Sequence, residues 1–416
     1  MTSHTSYDII IIGSGIAGLY AAYNIQHISP QTNFMILDKN TKAEIGGRAS
    51  SEIFSGTPVV TGAGIGRKKK DRLLYELLSE LRLEVKEFNS EHHYSYIMRN
   101  HTMDMSKVWR LLLHEYNKQK IKYNGTFREF AINVLQDKHA YEDFLLTSGY
   151  TDYEKEDVYE TLYKYGMDDN FKKQILFSVP WKQMAMKLAE IIGFSHFQFS
   201  NNIIQLRKLT NSASKFMVEN DQGIQYFCNK LIIATTIDSL QHLLPYNPIY
   251  QDIEGQPFLR VYGKFSKRCG PILKHYIPGM IMVPGPLQKI IPINPDKLIY
   301  MIAYSDNAKA LALKNNLDNT EANRNLFCRL MEKSLGIPHD SLELLSIRDF
   351  YWQIGTHYYK PLNRKLYTNR EVFVKNAQHP DKDILVVGEV VSRKQGWAEG
   401  ALESVQKVLT KAWITN

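Results

Sequence analysis

Tyr7-Asp8-Ile9-Ile10-Ile11-Ile12-Gly13-Ser14-Gly15-Ile16-Ala17-Gly18 is the stretch on which the fold turns. Tyr7 to Ile12 is a short, apolar, β-branched run, the composition of a buried parallel strand. Three glycines follow at the spacing G-x-G-x-x-G, and Leu19 to Ile25 then has helix-forming composition. Gly13 permits the tight strand-to-helix turn, Gly15 lets backbone approach a pyrophosphate, and Gly18 lets the helix pack closely on the strand. The helix N-terminus offers free N–H donors and the positive end of its dipole to phosphates. A second strand, Asn33 to Leu37, ends in Asp38 with Lys39 beside it. Asp38 comes 25 residues after Gly13, where the acceptor for a ribose hydroxyl belongs. The motif predicts a Rossmann-like dinucleotide site and leaves NAD and FAD both open.

The surrounding composition is that of a globular chain. At 416 residues it has room for two or three domains, or for two that interleave. With 44% hydrophobic and 23% charged residues it can bury a large core. It shows no short repeat or low-complexity tract, which excludes solenoid and disordered classes. No apolar run approaches the roughly 18 to 20 residues needed to span a bilayer. Ile9 to Ile12 comes too early and is too short for a signal peptide, so an intracellular protein is expected, cytoplasmic or nuclear, with no membrane partner. Cys228, Cys269 and Cys328 are odd in number and far apart, which argues against a disulfide framework and against a protein-held metal. The formal charge is +8, concentrated at Arg67-Lys68-Lys69-Lys70. That run reads as a solvated loop or helix start, and nothing aromatic interleaves it, so nucleic acid is not an expected partner.

Two further stretches select a family. Glu44-Ile45-Gly46-Gly47-Arg48-Ala49-Ser50 places a Gly-Gly-Arg about ten residues after Asp38, and near the C-terminus Gly388-Glu389 closes the strand Asp383 to Val387. Gly396-Trp397-Ala398-Glu399-Gly400-Ala401-Leu402-Glu403-Ser404 then opens a last helix. Together with the first motif these resemble the flavin-containing amine oxidases, the group that includes monoamine and polyamine oxidases. The resemblance is strong at both ends and weaker in the centre, where Ile203-Ile204 resembles the segment that holds adenine. It implies an α/β fold, a Rossmann-like FAD-binding domain (GR2-type dinucleotide fold) interleaved with an α+β substrate domain. The FAD domain is expected from 1–74, 195–245 and 370–416, and the substrate domain from 75–194 and 246–369, with 75–194 mostly helical. Strands are expected at Phe258 to Phe265, Met280 to Val283 and Leu298 to Tyr304.

The resemblance also assigns roles. FAD, non-covalent for want of a nearby cysteine, is expected on Gly13, Gly15, Gly18, Asp38, Lys39, Gly46, Gly47, Arg48, Gly64, Ile204, Gly388, Glu389, Trp397 and Ala398. Arg48 supplies a bidentate cation for the pyrophosphate, and Glu389 bonds the ribityl chain. The implied reaction is hydride transfer from a small amine to the flavin, with oxygen as acceptor and peroxide as product. Trp397 takes the place of one aromatic wall around the amine, and His357, Tyr358 and Tyr359 compete for the other. The chain departs from the family where a strand lysine usually stands near the flavin. Arg260 occupies that place, and Lys264 is the alternative if the register slips by four. Arginine stays cationic and cannot act as a base. That substitution keeps two other readings open: a desaturase or dehydrogenase of a non-amine, and a flavoprotein whose catalysis is lost.

Overall fold

In the computed structural model, which describes residues 6–89, 91–166, 174–210 and 212–415, Ser6–Ile12 is an inner strand of a seven-stranded sheet. It pairs in parallel with Phe34–Leu37 on one side and Gln225–Ile233 on the other. Ile9 and Ile11 pack among the helices Ile16–Ile28, Trp181–Ile192 and Ala398–Val408. Ile10 and Ile12 point the other way, into a core with Ile237–Leu243 and Arg370–Gln378. From Ile9 to Ile12 the strand is apolar at every position because both of its faces are covered there. Each of these isoleucines contributes about 2 kcal/mol of burial, so the register has no polar alternative.

The strand Gln225–Ile233 does two jobs. Its first half pairs antiparallel with Phe216–Asn220, and its second half pairs in parallel with Ile384–Val386, the strand that brings the C-terminal segment into the sheet. Sequence alone divides it into two strands, Ile224 to Cys228 and Lys230 to Thr236. Lys230 does not interrupt it, because its ammonium reaches Asp383 at 3.6 Å and lies over Trp413.

A second sheet has the order Leu344–Tyr359, Ile253–Phe265, Ile299–Asp306, Lys289–Asn294, Met280–Met282, His92–Tyr94. Leu259 and Val261 face a core shared with the helix Glu321–Leu335. The alternate residues Arg260 and Tyr262 therefore face the other way. The three strands expected from sequence in this region are all present, with ends shifted by a few residues.

The stretch 75–194 is less helical than its sequence suggests. Met105–Lys118, Phe127–Leu135 and Lys138–Ser148 form a helical cluster around Trp109, Phe127, Phe144 and Tyr153. Glu87–Asn89, His92–Tyr94 and Ile175–Ser178 are strands, each too short for alternation to register. Part of the expected helical stretch, 167–173, lies outside the described residues. The helix Trp181–Ile192, grouped by sequence with the substrate domain, packs on Ile16–Ile28 through Met184, Ala185, Leu188 and Ala189. Small residues at that spacing let the two helices approach closely. Among the described residues no helix is long and apolar enough to cross a membrane.

Candidate functional site

A cavity of about 870 Å³ runs between the two sheets. At one end stand Gly15, Ile16 and Ala17, the first turn of the helix Ile16–Ile28, and Ala398 and Ala401, the first turn of Ala398–Val408. No side chain caps either helix N-terminus. Two sets of backbone donors, with the positive ends of two helix dipoles, thus face one space.

The glycines of the first motif divide the work as the chemistry requires. Gly13 has φ +106°, and a Cβ there would meet the Ala234 carbonyl oxygen at 2.6 Å. A Cβ on Gly18 would collide with the Gly13 carbonyl. Both are structural and neither lines the cavity. Gly15 is different, because a Cβ there would meet nothing within 4 Å. The room beside it is room for a ligand. The Gly46-Gly47-Arg48 segment is stitched onto this turn: Gly46 N–H donates to Ser14 O at 3.1 Å, and Gly15 bridges Gly46. Gly46 and Arg48 line the cavity, and Gly47 lies against Gly15.

Asp38 is buried outside the cavity. Its Oδ2 accepts the Ser14 N–H at 2.5 Å and the Ser14 hydroxyl at 2.7 Å, and its Oδ1 accepts the Asn40 N–H at 2.8 Å. A carboxylate has about four acceptor positions, so one remains for a ribose hydroxyl. Lys39 is exposed and Ile204 is 40% exposed, neither on the cavity wall. Asn201 N–H donates to Asp38 O, which brings the start of the strand Ile203–Lys208 beside the acid.

Glu389 is the most heavily bonded acid of the cavity. Its Oε1 accepts Arg48 Nη1 at 2.8 Å and His357 Nδ1 at 2.5 Å, and its Oε2 accepts the Gly396 N–H at 3.0 Å. Burial alone would raise its pKa, but His357, Arg48 and the Gly396 N–H outweigh it and bring it down to about 2. Three of its acceptor positions are thus met within the protein, and one is left for a ligand hydroxyl. Arg48, assigned from sequence to a pyrophosphate, spends Nη1 on Glu389 and on the Gly355 carbonyl at 2.8 Å.

His357 belongs to this network. Its Nε2 accepts the N–H of Ile237 at 3.1 Å, which leaves the proton on Nδ1 for Glu389. Both nitrogens of His357, which itself stands on the cavity wall, are engaged within the protein. Tyr358 lines the cavity and donates its hydroxyl to Glu254. Tyr359 turns into the second core and donates to Ser392 O.

Arg260 and Trp397 both line the cavity. Arg260 Nε donates to Gly62 O at 2.9 Å, and its guanidinium lies over the Tyr304 ring at 4.1 Å. Gly64 presses against it, since a Cβ on Gly64 would stand 3.3 Å from Arg260 Nη2. Lys264 is elsewhere: its ammonium donates to the Lys297 carbonyl, and it is not on the cavity wall. Four residues along a strand is about 13 Å, which keeps the face but leaves the site.

The sequence reading also missed contributors. Arg67, read as part of a solvated basic run, is 1% exposed, lines the cavity, and lies over Trp397 with its guanidinium bonded to Asp71. Glu399 accepts the N–H groups of Leu73 and Leu74 and so ties the last helix to Arg72–Glu80. Trp181 and Trp352 hold the Gly64 and Thr61 carbonyls. Asp152 and Glu156 face the cavity from the helical part. Only distant pairing reveals these residues, and no local spacing marks them.

The description of the matching family profile is an NAD(P)-binding Rossmann-like domain, over residues 11–81. No curated protein matches the sequence. Among solved structures, putrescine oxidase bound to putrescine superposes with a TM-score of 0.74, over 97% of this chain and 98% of its own, at 14% identity. A putrescine oxidase double mutant, from a redesign of cofactor binding, gives 0.73 over 98% of this chain and 99% of its own, also at 14%. The likeness at that identity is one of fold: nearly the whole chain has the fold of a putrescine oxidase, with a Rossmann-like dinucleotide-binding part.

Proposed function

We propose that the chain is an FAD-dependent oxidoreductase of the flavin amine oxidase family, taking a small amine as substrate and oxygen as acceptor. The observation that carries this reading is the continuity of the cavity. Two uncapped helix N-termini and the space beside Gly15 lie at one end, and the acids Asp152 and Glu156 line the same space. An anionic dinucleotide suits the first end and a cationic amine the second.

FAD, when bound, supplies the two-electron acceptor that converts the amine to an imine. The chain's residues do the rest. The N–H groups at Gly15 to Ala17 would hold the pyrophosphate, Asp38 the ribose, and Glu389, fixed by Arg48 and His357, the ribityl chain. Trp397 and Tyr358 would flank the amine. None of the three cysteines lines the cavity, so the cofactor is expected to come free on denaturation.

Arg260 favours a second reading. A permanent guanidinium in the lysine's place supports slow reoxidation by oxygen, and so a dehydrogenase or desaturase of a non-amine, or a chain that keeps FAD and has lost turnover. One experiment separates the readings. Purified protein carrying flavin is titrated anaerobically with putrescine, spermidine, spermine and aryl-alkyl amines while its visible absorbance is followed. Bleaching by one class supports the amine reading and names the class. Flavin that none of them reduces refutes it.

A further inference from the structure

The cavity end that bears Asp152 is built from several elements. Asp152 lies deep in the protein, and the surface it keeps open is cavity surface. Its Oδ1 accepts the Tyr165 hydroxyl at 2.9 Å. Its main-chain carbonyl accepts Gln256 Nε2 at 2.8 Å, and the same nitrogen donates to Thr356 Oγ1 at 3.0 Å. Thr356 Cγ2 stands 3.6 Å from where a Cβ on Gly396 would be, and Trp397 follows. Two side chains, Gln256 and Thr356, therefore link Asp152 to the backbone just before the last helix.

An aliphatic amine in neutral water is an ammonium, with a pKa near that of lysine, roughly 10.4. Hydride loss from the carbon beside it needs the nitrogen lone pair. A proton must therefore leave before oxidation, and something in the cavity must take it.

We propose that Asp152 takes this proton. The substrate ammonium docks on the Asp152 carboxylate, the N–H bond breaks and an O–H bond forms, so that R–CH₂–NH₃⁺ and a carboxylate become R–CH₂–NH₂ and a carboxylic acid. The proton returns to solvent when product leaves. The assignment rests on the amine-oxidising reading of the same cavity.

The neighbours single out Asp152. Burial raises it to about 7, Asp306 adds to that, and Tyr165 and Lys289 work the other way. An acid at that level is matched to proton transfer at neutral pH. Glu156, beside it on the wall, already accepts the Thr161 hydroxyl at 2.8 Å, and burial holds it well above the usual carboxylate range. Asp306 is spent on the Thr151 hydroxyl and N–H and on Gln288. Lys289, whose charge burial disfavours, sits over the Tyr150 and Tyr304 rings at 2.9 and 4.4 Å and does not form part of the wall. Arg260 cannot accept a proton.

Two readouts separate this role from the oxidase reading. The first is anaerobic flavin reduction by putrescine from pH 6 to 10.5. The native chain is expected to show an acid limb near pH 7. Asp152→Asn is expected to slow reduction about 100-fold at pH 7.5 and to recover toward the native rate above pH 10, where free putrescine supplies neutral amine unaided. Tyr165→Phe removes only the donor and is expected to move the limb to higher pH. The second readout needs no turnover. Binding of tert-butylamine, which has no α-hydrogen, is followed by calorimetry at pH 6 in two buffers of unlike ionisation heat. It is expected to release a proton in the native chain and none in Asp152→Asn. Loss of that release supports the assignment even where no amine reduces flavin, an outcome that instead sinks the oxidase reading. Amine reduction with the same limb and the same proton release in both proteins overturns the assignment and leaves the oxidase reading standing. Failure of tert-butylamine to bind also overturns it.

Discussion

The guanidinium of Arg67 lies on the indole of Trp397, 3.5 Å from the ring centroid, while its Nη2 holds Asp71 at 2.6 Å. Arg67 and Asp71 are each 1% exposed. A cation–π contact of this kind contributes about 2 kcal/mol when desolvated. Here it fixes one wall of the cavity from a residue 330 positions away in sequence.

Removing that cation strands its partner. Arg67→Met leaves the Asp71 carboxylate buried without a counter-charge, and the loss of one member of a buried pair costs about 3–5 kcal/mol. Urea unfolding is expected to show a drop of that order, with much of it recovered in Arg67→Met/Asp71→Asn. An unchanged midpoint for the single variant shows that the pair contributes nothing.

Gly15 and Gly18 offer a sharper contrast. Gly15→Ala puts a methyl group into open space at ordinary helix-start backbone, φ −65°. Its stability is expected to stay within about 0.5 kcal/mol of native, while flavin retention on gel filtration falls. Gly18→Ala drives a methyl into the Gly13 carbonyl and is expected to lose fold and flavin together. Should Gly15→Ala keep its flavin, the pyrophosphate is not held at that turn.

Glu389 predicts a pH dependence whose sign is fixed. Its pKa falls from 4.5 to about 2 on folding, so it contributes stability above the unfolded value and loses it as pH falls through the folded one. At about 1.4 kcal/mol per unit the contribution is on the order of 3 kcal/mol at neutral pH. The stability gap between the native chain and Glu389→Gln is expected to be constant above pH 5 and to close between pH 4.5 and 2. A gap that persists at pH 2 shows that the amide loses something other than charge.

Sequence carried the dinucleotide end of the site and little of the other. Gly13, Gly15 and Gly18 are legible because a tight turn, a ligand and a close helix demand glycine at fixed spacing. Arg48 and Glu389 are legible as positions, but their bond to each other spans the chain and no local pattern encodes it. Arg67 was hidden inside a basic run, because burial of one cation among four depends on Asp71 and Trp397 meeting it. Asp152 stood in a stretch read as helical with its charges on one face, and only the fold brings it beside Gln256 and Thr356. The short strands Glu87–Asn89 and Ile175–Ser178 were missed because each is too short for alternation to register.

Arg260 yields the last prediction. Its Nε bond to Gly62 and its place over Tyr304 fit a planar guanidinium, and lysine has no fork to replace them. Arg260→Lys leaves the Gly62 carbonyl without its donor, so a stability loss of about 1–2 kcal/mol is expected. Under the proposed reading, the substitution also puts at the cavity wall the lysine that the resemblance expects there. Stopped-flow mixing of reduced protein with oxygen is expected to show reoxidation about tenfold faster, equivalent to about 1.4 kcal/mol of barrier. Faster reoxidation with slow native turnover identifies Arg260 as the residue that restrains oxygen chemistry in an otherwise intact amine oxidase. An unchanged rate removes Arg260 from the explanation and leaves the choice between oxygen and another acceptor to the remainder of the cavity wall.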